Sequence, residues 1–140
     1  MIDDERARWM RERPAAQVWL LDGVPPARDF DEVAVAAGLE PLGRAWVEVD
    51  PERAEGLLTG LLRTGLAYGD ELMPEGRARW LASEFIRSCG TYGARYGTNT
   101  VGTPGENGAS WTPATSHDVD AGVVLLGRAG SACYWVAEDV

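Results

Sequence analysis

Residues Trp111 to Asp120 read Trp-Thr-Pro-Ala-Thr-Ser-His-Asp-Val-Asp and hold the densest set of reactive side chains in the chain. The only histidine, His117, lies there between hydroxyls and carboxylates. Serine, histidine and an acid can form a hydrolytic triad, but Ser116, His117 and Asp118 are sequence neighbours. Neighbours on an extended chain point apart, whereas a triad needs groups converging from separate elements. The stretch reads instead as a capped turn, in which Thr115, Ser116 or Asp118 bonds nearby backbone amides. Oxygen ligands from Asp118, Asp120, Glu138 and Asp139 would suit calcium or magnesium. Their spacing lacks the glycine and closing glutamate of an EF-hand loop, so a solvated acidic face without metal is expected. One histidine and two cysteines, Cys89 and Cys133, also fall short of a four-ligand Cys/His zinc site.

A second cluster is Arg87, Tyr92, Arg95, Tyr96 and Asn99. Forked guanidinium donors and aromatic faces around a glycine-rich loop can hold an anionic or planar ligand. The glycines do not follow a dinucleotide pattern. All 13 basic residues are arginine, which excludes a Schiff-base lysine, a phosphate-loop lysine and a Ser-x-x-Lys nucleophile. No cofactor is expected. The candidate ligand- or partner-binding residues are Arg95, Tyr96, Asn99, Trp111, Thr115, His117 and Asp118.

Those residues need a scaffold, and the remaining sequence supplies one of α+β type. Asp3 to Arg13 reads as a short helix, acidic at its start and arginine-rich toward its end. Ala16 to Leu21 reads as a buried strand. Asp29 to Ala37 has a cap at Asp29, a capping-box acid at Glu32 and a terminating Gly38. Arg44 to Val49 alternates as a half-buried strand. Asp50-Pro51-Glu52 opens a helix whose apolar face is Ala54, Leu57, Leu58, Leu61 and Leu62. Gly56 and Gly60 weaken that helix. Pro74 to Ser88 is the next helix, facing the core through Ala78, Leu81, Ala82, Phe85 and Cys89. Gly90 to Ser110 has no periodicity and reads as a loop. Ala109 to Thr115 reads as an edge strand broken by Pro113, and Val123–Leu126 and Ala132–Val136 form a hairpin across Gly127–Gly130. The expectation is a single α+β domain over residues 1–140, with about four helices on a mostly antiparallel sheet.

Charge narrows the partner. The net charge is −9, and no long segment is basic, so nucleic-acid binding is not expected. No apolar run is long enough for a membrane helix. The start Met-Ile-Asp-Asp-Glu-Arg lacks the basic and apolar parts of a secretory signal, which suggests the cytoplasm. In that reducing compartment the two cysteines read as small buried apolar residues. An acidic surface suits a basic protein partner. Six tryptophans supply possible anchors: Trp19 and Trp135 lie in core-like runs, while Trp46 and Trp111 lie where one face can be exposed.

The tail pattern Trp111-x-Pro113-x-Thr115-x-x-Asp118, a hairpin, then Trp135-Val136-x-Glu138-Asp139 resembles a recurring ending in small uncharacterised proteins of GC-rich bacteria. Some of those are suspected immunity or inhibitor partners of toxins. Such endings usually carry Phe before the Asp and a second acid near the terminus, where this chain has His117 and Ala137. The resemblance covers the last third and implies no established activity. The leading expectation is a non-enzymatic binding protein, an immunity or inhibitor protein for a protein partner, and it rests on the acidic charge, the small size, the tryptophan supply and the lack of a convincing catalytic set. The alternative is a small-ligand enzyme or sensor, which requires Arg95, Tyr96, Trp111, His117 and Asp118 to converge on one concave site.

Overall fold

The structure is a computed structural model and describes residues 2–103 and 108–140. Three acidic residues start helices as the sequence predicts. Asp3, Asp29 and Asp50 accept from the backbone N–H groups of Arg6, Glu32 and Arg53, so α1 is Asp4–Arg11, α2 is Phe30–Ala37 and α3 is Pro51–Arg63. Gly38 ends α2 with φ +95°, and the Leu39 N–H returns to the Ala34 carbonyl at 2.9 Å. These bonds satisfy helix-end groups that burial would otherwise leave unpaired. Only half of the predicted capping box forms, because the Glu32 carboxylate accepts from Arg28 instead. Helix α4 spans Glu75–Arg87.

The sheet has strand order β1-β7-β6-β3-β2, with β1 Ala16–Val24, β2 Val47–Val49, β3 Arg95–Thr98, β6 Val119–Leu126 and β7 Ser131–Glu138. Every pairing in it is antiparallel. The short strands β4 (Thr100–Val101) and β5 (Ser110–Trp111) form a separate ribbon. One face of the sheet carries Tyr96, Val123, Leu125, Tyr134 and Val136 against α1, α3 and α4. The other carries Val124, Leu126, Cys133 and Trp135 against α2 and Ala114. The architecture is α+β, with helices on both faces of the sheet. Burial on both sides explains why β6 and β7 are near-continuous apolar runs rather than alternating ones. Among the described residues no helix is long and apolar enough to cross a membrane.

Several local expectations change. Gly43–Ala45 is a short 3-10 turn and only Val47–Val49 is strand. Asp31 causes this by accepting from the N–H groups of Leu42 and Gly43 and from the Trp46 indole at 2.7 Å. Trp46 thereby packs against Phe30 and Trp135 and is half-buried, as is Trp19, read as core, on the edge strand β1. The expected loop Gly90–Ser110 contains β3, an interior strand of the sheet. A Cβ at Gly97 would stand 2.9 Å from the Phe30 ring, so this strand packs through an absent side chain that no apolar pattern reveals. Likewise β6 begins at Val119 rather than Val123, because Gly122 leaves room for the Trp135 ring. Trp9 of α1 packs edge-on against Trp80 of α4, with Arg6 over Trp80 and Arg77 over Trp9.

Candidate functional site

Asp120 organises the C-terminal candidates. It is 2% exposed. Its carboxylate accepts from Asn99 Nδ2 at 3.0 Å, the Ala114 N–H at 3.1 Å, Thr115 Oγ1 at 2.9 Å and the Trp135 indole at 3.1 Å. The Thr115 N–H adds a further donor at 3.2 Å. Asn99 also donates to the Thr112 carbonyl. This network lays residues 112–115 across the sheet with their buried polar groups paired. Asn99 and Thr115 are thus held inside the fold by Asp120, and the Thr115 hydroxyl accepts from the His117 N–H, as the capped-turn reading expects.

His117 and Asp118 turn toward the last residues. His117 Nδ1 lies 3.2 Å from Asp139 Oδ2, the Asp118 N–H donates to Asp139, and Asp118 accepts from the Val140 N–H at 2.9 Å. The bonds from the Asp118 N–H and from His117 hold the Asp139 carboxyl below its ordinary range. The four carboxylates considered for a metal are therefore dispersed: Asp120 to its buried network, Asp118 and Asp139 to the tail, and Glu138 to Arg13.

The remaining pair lies elsewhere. Arg95 makes a two-pronged contact with Glu48, at 3.0 and 2.6 Å, and stacks over Phe30. Arg95 is paired with Leu126 at the far end of β6, whereas His117 precedes Val119 at its start. Seven strand steps separate those ends, or about 23 Å. Tyr96 is 1% exposed, and its Oη has no hydrogen-bond partner among the described residues. Burial raises that phenol above its ordinary pKa. The convergent pocket of Arg95, Tyr96, Trp111, His117 and Asp118 does not form. The separation follows from strand register, which no local spacing encodes.

Trp111 does border a concave surface. Strand β5 places it opposite Thr100, and it remains 44% exposed. With Leu66, Ala67, Ala109, Val119 and Val140 it lines a cavity of about 190 Å³. A larger cavity of about 580 Å³ adjoins it and shares Leu66 and Ala67. Its floor is the Arg53, Gly56, Gly60 and Arg63 side of α3, and Tyr68, 75% exposed, stands on its wall. Sequence reading missed this second cavity. Its only signal was Gly56 and Gly60, open helix positions with nothing within 4 Å of a built Cβ.

A buried ion pair fixes the shared wall. Glu138 accepts from Arg13 Nη2 at 3.0 Å and from the N–H groups of Leu66 at 2.8 Å and Ala67 at 3.1 Å. Arg13 in turn donates to the Leu61 and Thr64 carbonyls. Burial pushes the Glu138 carboxyl up, but these donors outweigh it and leave its pKa below the ordinary value. The wall is therefore anchored to β7 through a charged group that has little freedom to move.

Neither thiol is arranged as a nucleophile. Burial raises the pKa of both Cys89 and Cys133. Burial also pushes the Tyr134 phenol up to about 12, and its hydroxyl donates to the Met10 carbonyl. No family model, curated protein or solved structure matches this chain.

Proposed function

We propose that this chain is a non-catalytic binding domain of the cytoplasm, an immunity or inhibitor protein that occupies a protein partner. The observation that carries the reading is the exposed pair Tyr68 and Trp111 on adjoining cavities whose shared wall is pinned by Glu138 and Arg13. Exposed aromatics beside preformed concavities are typical anchors of protein interfaces. The side chains with reactive chemistry support the same reading from the other side. Asp120, Thr115 and Asn99 are engaged in internal bonds, and His117 is engaged with Asp139. A net charge of −9 adds long-range attraction for a basic partner, which acts mainly on the association rate.

The test is partner capture with identification, followed by reconstitution from purified components. The wild type should form a defined complex whose affinity falls with added salt and in which the partner's own activity is suppressed. Tyr68→Ala with Trp111→Ala should weaken that complex at least tenfold. A partner held equally well by the double variant would remove this surface from the interface. A partner whose activity is untouched in the complex would end the inhibitor reading.

A further inference from the structure

Residues Arg53, Gly56, Gly60 and Arg63 form one stripe along the outer side of α3 and floor the larger cavity. Glycine inside a helix costs about 1 kcal/mol relative to alanine. In the sheet, glycine has an internal cause, since Gly97 admits Phe30 and Gly122 admits Trp135, whereas Gly76 in α4 is a further open helical position. Gly56 and Gly60 have none among the described residues: both are exposed, and a Cβ on either would meet only open space. Their absent side chains leave this cavity unfilled along α3.

The charge of the lining sets the chemistry this cavity suits. The chain has 22 acidic against 13 basic residues, yet the described residues lining this cavity include Arg53 and Arg63 and no carboxylate. Arg63 makes no ion pair among the described residues, and Arg53 spends one nitrogen on the Gly102 carbonyl. Both guanidiniums retain donors suited to carboxylate oxygens. The ten-residue interval between them spans about 15 Å along the helix, the length of roughly four to five extended residues. Beyond the Leu66–Ala67 wall, the smaller cavity is lined by Trp111, Val119, Ala121 and Val140 and suits an apolar side chain.

We propose that the two cavities together receive a segment of the partner polypeptide that carries carboxylates next to a large apolar side chain. This rests on the protein-binding reading above and specifies the chemistry of its contact. The field of the whole acidic chain governs approach, while the arginine-lined groove governs the local fit.

The experiment selects random dodecapeptides displayed on phage against the wild type, then measures synthetic versions of the enriched sequences by fluorescence anisotropy. Gly60→Leu fills the groove at a helical position, and circular dichroism with thermal melting confirms its fold. Arg53→Gln with Arg63→Gln removes the charge without adding bulk. Enriched peptides should place Asp or Glu beside Leu, Ile, Phe or Trp. Their binding should fall at least tenfold in Gly60→Leu and in the double arginine variant, and equally when the peptide acids become amides. Absence of enrichment, enrichment of peptides without acids, or equal binding to the filled and neutral variants overturns the assignment. A captured partner that still binds Gly60→Leu at wild-type strength also overturns it, while leaving the protein-binding reading intact.

Discussion

Asp120 and Glu138 are two carboxylates that the fold has enclosed, and each has a measurable signature. Replacing Asp120 by alanine leaves the Trp135 indole, the Ala114 N–H and the Thr115 hydroxyl without this acceptor. An unsatisfied buried donor costs about 1–3 kcal/mol. Asp120→Ala should therefore lower unfolding stability by about 3 kcal/mol or more, read from urea denaturation. A loss below about 1 kcal/mol would mean that the network does not hold residues 112–115. Glu138 responds to pH. Its folded pKa lies below the ordinary 4.5, so the native state binds its proton less tightly than the unfolded chain. Its contribution is complete above 4.5 and is lost as pH falls through the folded value. Thermal melts between pH 6 and 3 should show a steeper fall for the wild type than for Glu138→Gln. Parallel curves would show that the donors from Arg13, Leu66 and Ala67 do not favour the charged form. The chemistry of both acids was visible as composition, but only the folded chain brings Asn99 and Trp135 to one and Arg13 to the other.

At the level of elements, legibility follows how local the causes are. The starts of α2 and α3 were readable because a cap and the N–H it satisfies lie three residues apart, and α1 was readable from the acids at its start and the arginines toward its end. The end of α2 was readable because Gly38 itself supplies the left-handed turn. Strand β3 was not readable, because Gly97 is explained by Phe30, a residue far away in sequence. The glycines make this distinction testable. Gly56→Ala and Gly60→Ala, in open helix positions, should each raise stability by about 0.5–1 kcal/mol. Gly97→Ala and Gly122→Ala should lower it, since their Cβ atoms would stand 2.9 Å from the Phe30 ring and 2.3 Å from the Tyr134 carbonyl oxygen. Melting temperatures of the four variants decide the matter, and a stabilising Gly122→Ala would contradict the packing described here.

Across the whole molecule, the sheet separates groups that the sequence leaves free to meet. Cys89 belongs to the core on one face and Cys133 to the core on the other, so the native protein should contain no bond between them. A disulfide-exchange reagent should react slowly with the native protein and titrate both thiols promptly in denaturant. Prompt native reaction of either thiol, or no thiols after unfolding, would refute this placement. By itself, the sequence determined the α+β class, the helix caps, the acidic balance and the absence of lysine chemistry, because each depends on residue type or on neighbours a few positions apart. The tertiary structure decided that Arg95 and His117 belong to opposite ends of β6, that Asp120 is buried, and that α3 meets the Leu66–Ala67 wall to form the paired cavities. Those outcomes depend on strand register and on packing between distant segments, which arise only when the two faces of the sheet are covered together.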